Sequence, residues 1–247
     1  MLRVICIYIK QRFRLQLYLP LAVLLILFGI KEYNVPLTEW LRQLSLLPIT
    51  LAFLLLFRLA DDLMSRKEDS IQPNRVYTKK ESWFPLVLFS SIVLFLGIGF
   101  VLNDYKTYVT SYILVLLFSF IPYSANLLAK QFKFILPLFK YGIFVLFITS
   151  LQGQLDSFDY VFSGVVFLSF ILYELLEDER LAAYKNHVKW MYWLLILPFG
   201  CMSPDALLWI GVLSISVYLF WLLKRPAYIH YYILLLVLSL KIIVYVV

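Results

Sequence analysis

The sequence predicts an all-α integral membrane protein with nine transmembrane helices, and two observations carry that prediction. Hydrophobic residues make up 63% of 247 positions, and the mean hydropathy is +0.87. An ordinary soluble domain has roughly 45–50% apolar residues. The apolar residues also fall into nine stretches separated by short polar segments. A bilayer core about 30 Å thick is crossed by roughly 20 apolar residues, so the chain is filled by such stretches. Residues 1–247 read as a single transmembrane domain.

The stretches are 15–31, 41–60, 84–103, 107–127, 132–151, 158–176, 188–203, 205–223 and 228–247. A charged start followed by Leu15–Ile30 resembles a signal peptide. However, Lys31-Glu32-Tyr33 follows where a small-residue cleavage site would stand, so a retained first helix is expected. The seventh stretch is short and holds Pro198 and Gly200, which predicts a tilted or broken crossing.

Placing the N-terminus inside puts seventeen of the 22 Lys and Arg residues on the inner side. Positive residues are retained on the cytoplasmic side. The expected location is therefore an inner membrane of bacterial type, with a cytoplasmic N-terminus. The long loops 61–83 and 177–187 then share that side. The net charge of +7 reflects this asymmetry and gives no support to nucleic-acid binding. Cys6 and Cys201 have no metal-ligand spacing and read as packing residues.

Two acidic clusters stand at the ends of these stretches. The first runs from Arg58 through Asp61, Asp62, Glu68 and Asp69 to Arg75, and the second comprises Tyr173, Glu174, Glu177, Asp178, Glu179 and Arg180. Charges at the edge of hydrocarbon lose hydration, so they face cavities, pair or bind ions. On a helix, Asp62 and Asp69, like Asp61 and Glu68, would lie on one face about 10 Å apart. Glu174, Glu177 and Asp178 share a face through i,i+3 and i,i+4 spacing. Mg²⁺ binds through one or two carboxylates, waters and phosphate oxygens, so two such edges suit a Mg²⁺-held diphosphate. Arg75, Lys79, Lys80 and Lys130 are the basic residues available to neutralise phosphate.

The first cluster resembles the aspartate-rich motif of the UbiA superfamily of intramembrane prenyltransferases, NDxxDxxxD followed by Arg. Asp61 falls at the Asn position, Asp62 at the first Asp, Ser65 at the second, Asp69 at the third and Arg75 at the Arg. Arg58-x-x-Asp61-Asp62 is similar to a branch that begins RxxDD. The second cluster stands where the family has its second acidic motif, and Lys130 after Tyr123 resembles a basic position after the fourth helix. Ser65 lacks the acid, Val76 replaces a Pro, and the second motif is Glu-rich.

The resemblance implies a UbiA-like bundle with a central cavity open to the cytoplasmic side. In it, Mg²⁺ would be held by Asp62, Asp69, Glu174 and Asp178, and the diphosphate of a prenyl substrate by Arg75 and Lys130. Arg58, Asp61, Glu68 and Glu177 would support them. Tyr112, Tyr123, Tyr141, Phe170 and Tyr173 would be candidates to stabilise an allyl cation. The implied reaction is prenyl transfer to an aromatic or lipophilic acceptor. Two alternatives stand beside it: a terpene cyclase of the same type, and a non-catalytic membrane lipid-binding or scaffold protein.

Other polar positions carry less. His187 and His230 sit near stretch ends, where polar tips meet headgroups. Lys140 and Lys241 lie inside stretches, and each needs a partner, a watery path or room to snorkel.

Overall fold

The computed structural model describes residues 1–31, 33, 36–66, 75–100, 105–124, 135–177, 188–224 and 229–246. Among these residues the regular structure is helical throughout. The helices are α1 (Leu2–Arg12), α2 (Leu15–Gly29), α3 (Leu37–Leu44), α4 (Leu47–Met64), α5 (Trp83–Phe100) and α6 (Tyr105–Ser124). They continue with α7 (Phe139–Ser150), α8 (Ser157–Glu177), α9 (Val188–Met202), α10 (Leu207–Lys224) and α11 (Ile229–Val246). Single 3₁₀ turns precede α7 and α10, and two more lie at Val76–Thr78 and Lys80–Ser82.

Each predicted stretch is occupied by a helix, but not every helix is long enough for a full crossing. Length and apolar composition suffice over Lys80–Gly99, Ser157–Leu176 and Pro204–Leu223, and for a fourth crossing if α1 and α2 form one bent span. The stretch 41–60 divides, because α3 ends at Leu44 and α4 restarts with Pro48 in its first turn. Proline has no N–H to continue the preceding helix, and it is well placed where the first amides of a helix are unpaired anyway. α4 then runs past residue 60 and keeps Asp61 and Asp62 helical. At Pro198 the seventh stretch remains one helix, α9.

α1 was not among the predicted stretches. It meets α2 at 71° and buries only Ile5 and Tyr8, leaving most of its length at the surface. This is the pattern of an amphipathic helix lying across the end of a bundle.

α7 is the central post. It packs on α8, α2 and α6, while α8 continues to α11 and α9, and α4 packs on α5, α2 and α6. Phe53, Tyr108, Phe144 and Phe147 interlock at the junction, with Phe53 4.6 Å from Phe144 and 5.4 Å from Tyr108 between ring centroids. Leu208, Leu223, Trp190 and Phe95 present large apolar surface on the outside, as helices bathed in lipid do.

α2 and α7 approach closely at Gly29. A Cβ there would lie 2.3 Å from Ile148 Cγ2 and 2.7 Å from its Cβ. The Gly29 carbonyl accepts from Thr149 Oγ1 at 3.1 Å and Gln152 Nε2 at 2.9 Å. Small residues permit such approach where lipid supplies no hydrophobic drive between helices. Gly29→Ala is expected to lower stability by about 1–3 kcal/mol, because the branched Ile148 cannot swing its own Cβ away. Thermal unfolding in detergent measures it, and an unchanged melting temperature would contradict the packing described.

At the far end of the bundle from α1, Lys241 of α11 is 1% exposed. Its ammonium donates to the Phe28 carbonyl and, at 2.7 Å, to the Ile30 carbonyl, both at the C-terminus of α2. The rings of Phe162, Tyr245 and Tyr33 surround it at 4.6, 5.5 and 5.8 Å. Burial pushes the Tyr33 phenol above its ordinary value, and its hydroxyl donates to the Leu27 carbonyl at 2.9 Å. Lys31 pairs with Asp159 at 2.8 Å on the same end. Lys241 thus finds its partner in buried helix-end carbonyls, which interact favourably with a cation.

Candidate functional site

The last turns of α4 build a charged cluster beneath α1. The helix is apolar and buried from Phe53 through Phe57, then at Leu59 and Ala60, and then presents Asp61 and Asp62 on its final turn. Asp62 is 2% exposed. Arg12 forks onto it, with Nε 2.9 Å from Oδ2 and Nη2 2.6 Å from Oδ1. Tyr8 donates to Oδ2 at 2.9 Å. Arg58, one turn earlier on α4, brings Nη2 to 3.2 Å from Oδ1. Both Asp62 oxygens are therefore occupied by protein donors, in the bidentate geometry that makes Arg–carboxylate pairs strong.

Lys140 of α7 pairs with Asp61. Its ammonium also lies 5.7 Å from the Phe57 ring and 5.5 Å from Tyr141. A lysine inside an apolar helix thereby gains a carboxylate and two π faces. Arg75, just before the turn Val76–Thr78, donates from Nη1 to the Tyr77 hydroxyl at 2.7 Å. Arg12 and Arg75 both lie over the Tyr77 ring, at 5.1 and 6.0 Å. Gln11 of α1 accepts from the Val76 amide at 3.1 Å, which ties α1 to the segment carrying Arg75.

The expected residues divide between these surroundings and positions outside the described residues. Arg58, Asp61 and Asp62 share the last turns of α4, which Ser65 caps, and Arg75 lies beside Tyr77 near Arg12. Lys79 and Lys80 are exposed on the neighbouring turns. Glu174 and Tyr173 are half-buried on α8, where Tyr173 lies 5.7 Å from Tyr231. Glu68, Asp69, Lys130 and Asp178 fall outside the described residues, as do the side chains of Tyr123 and Glu177.

Tyr8, Arg12, Tyr77 and Lys140 were absent from the expected site. Lys140 had a sequence signal, a charge inside an apolar stretch. Ile5, Tyr8 and Arg12 had a weaker one, helical spacing on a single face. Tyr77 had none.

An aromatic file leads from this cluster toward Glu174. Phe57 lies 6.2 Å from Tyr141, Tyr141 stacks on Phe170 at 3.8 Å, and Phe170 is 6.3 Å from Tyr173. Three of the aromatics expected to line a cation path, Tyr141, Phe170 and Tyr173, are thus consecutive members of it. Tyr112 is instead buried against Phe53, 6.4 Å away.

Among the described residues no three His, Cys, Asp or Glu side chains gather as a metal cage. Mg²⁺ beside a phosphate needs only one or two carboxylates. Asp61 and Asp62, adjacent on α4, fit that chemistry in type, with their charge currently balanced by Lys140, Arg12 and Arg58. No family profile, curated protein or solved structure matches this chain.

Proposed function

We propose that the chain is a Mg²⁺-dependent membrane enzyme of UbiA-like architecture that ionises a prenyl diphosphate and passes the prenyl group to an aromatic or lipophilic acceptor. In this reading the nine helices α2 and α4–α11 cross or enter the membrane, and the α1 end of the bundle faces the cytoplasm. The observation that carries it is the buried charge cluster on α4 joined to an aromatic file. Arg58, Asp61, Asp62 and Arg75 lie at one end of an apolar bundle, and Tyr141, Phe170 and Tyr173 run from it toward Glu174. Ionisable groups kept at a membrane edge are costly and tend to be functional.

The residue roles follow from charge and position. Arg75, with Lys79, Lys80 and Lys130 on the same side, would hold diphosphate oxygens. Asp61 and Asp62, with Asp69, Glu174 and Asp178, would hold Mg²⁺ directly or through water. Bound Mg²⁺ would supply stabilisation of the departing diphosphate. Lys140 positions Asp61, and the Tyr141 and Phe170 faces would stabilise positive charge on the prenyl chain.

A second reading, a non-catalytic binder of lipid diphosphates, is favoured by one observation: Asp62 is already saturated by Tyr8, Arg12 and Arg58. Purified protein with Mg²⁺ and farnesyl or geranylgeranyl diphosphate separates the readings. Pyrophosphate release that requires Mg²⁺ and stops in Arg75→Ala is the expected result. Product masses then distinguish transfer to a supplied acceptor from cyclisation. Tight binding with no release across an acceptor panel would replace the enzyme by the binder.

A further inference from the structure

The cluster under α1 holds more donors than the described acceptors satisfy. Arg12 and Arg58 bring two guanidinium groups, and Tyr8 adds a hydroxyl, around the single carboxylate of Asp62, while Asp61 is engaged by Lys140. Arg58 Nε is buried and, among the described residues, has no hydrogen-bond partner. An unmet guanidinium N–H inside an apolar bundle is costly, and a surplus of forked cations selects planar or tetrahedral oxyanions. The cover is also thin. α1 buries Ile5 and Tyr8 alone and rests on α5 and the Val76–Thr78 turn, and its junction with α2 is a sharp bend at Phe13–Arg14.

We infer that α1 is part of the substrate site, with Arg12 a phosphate-binding residue that exchanges the Asp62 carboxylate for a terminal phosphate of the diphosphate. This inference rests on the diphosphate reading above and extends it to a helix outside both acidic clusters. In the structure Arg12 neutralises Asp62. A bound phosphate group draws Arg12 and Arg58 to its own oxygens, satisfies Arg58 Nε, and frees an oxygen of Asp62. α1 shifts with Arg12 because Tyr8, Gln11 and Arg12 share its docked end.

The test uses full-length protein in detergent and inorganic pyrophosphate without Mg²⁺, followed by titration calorimetry. Asp62→Asn removes the competing carboxylate charge and is expected to bind pyrophosphate at least as tightly as wild type. Arg12→Gln/Asp62→Asn leaves no stranded buried charge at this pair and is expected to bind about tenfold to a hundredfold more weakly than Asp62→Asn.

A second readout follows α1 itself. Cys6 and Cys201 are both exposed, so a fluorophore on Cys6 in a Cys201→Ser background reports the helix. Its emission is expected to change with pyrophosphate and with farnesyl diphosphate, and not with phosphatidylglycerol in nanodiscs. Equal affinity of the double and single variants, or a silent label on a protein that binds pyrophosphate, overturns the role of Arg12 and α1 alone. A wild type that binds neither pyrophosphate nor farnesyl diphosphate, with or without Mg²⁺, overturns the diphosphate reading as well. A response to phosphatidylglycerol only would reassign the site to a phospholipid headgroup.

Discussion

Asp62→Ala is expected to abolish Mg²⁺-dependent pyrophosphate release and, in addition, to lower stability by about 3 kcal/mol. The two losses have different causes. Release fails in the proposed mechanism because a carboxylate that serves the metal is gone. Stability falls because Arg12, Arg58 and Tyr8 lose the acceptor on which they converge, and removing one partner of a buried pair typically costs about 3–5 kcal/mol. The lower end applies, since Arg12 and Arg58 side chains retain 16% and 30% exposure and can turn toward water. The sequence motif alone predicts loss of turnover with the fold unaffected. The clamp from α1 adds the second effect. Asp62→Asn, which keeps size and one acceptor, is expected to recover part of the stability and none of the turnover. Thermal unfolding beside the release assay decides it, and an Asp62→Ala protein that melts with the wild type would show the clamp to be energetically idle.

The second large effect concerns the neighbouring pair, and it is asymmetric. Asp61→Ala is expected to cost about 3 kcal/mol and Lys140→Met only about 1 kcal/mol. The Lys140 side chain is 7% exposed and the Asp61 side chain 20%. Removing the carboxylate therefore leaves a cation deep between Phe57 and Tyr141, whereas removing the lysine leaves an acid that can reach water. Methionine also refills the channel that the lysine stem occupied. Melting temperatures of the two single variants and the double variant measure the difference. Equal costs, or a larger one for Lys140→Met, would mean that water reaches Lys140.

How much of this was legible in the sequence depended on whether the signal was local. The apolar stretches located the helices from α5 to α11, most ends within a few residues and the start of α7 later than expected, at Phe139, because an apolar helix needs continuous apolar length and little else. The division of 41–60 at Pro48 was missed because apolar composition continues across the break, and only the missing proline N–H marks it. α1 was missed for the opposite reason. Its charged residues lower its hydropathy, and its fitness to cover the bundle is visible only in the spacing of Ile5, Tyr8 and Arg12.

At the site, the expectation that Arg58, Asp61, Asp62 and Arg75 act together rested on residues close in the chain; Arg58 pairs with Asp62, and Arg75 is linked through Tyr77 to Arg12. The partners that set their electrostatics do not lie nearby in sequence. Arg12 stands 50 positions from Asp62, and Lys140 stands 79 from Asp61. Lys140 announced that it needed a partner, but nothing local could say which acid would supply it.

The Lys241 ammonium has a consequence for the order of assembly. Its acceptors, the carbonyls of Phe28 and Ile30, precede it by 213 and 211 positions. In the proposed membrane reading the helices enter the bilayer in sequence order, so α2 would be in place before α11. Until α11 docked, the C-terminal end of α2 would lack the cation that meets its Phe28 and Ile30 carbonyls, a costly state in lipid. In that order the bundle would be closed by α11 reaching back to α2, the helix that would act as the latch of biogenesis.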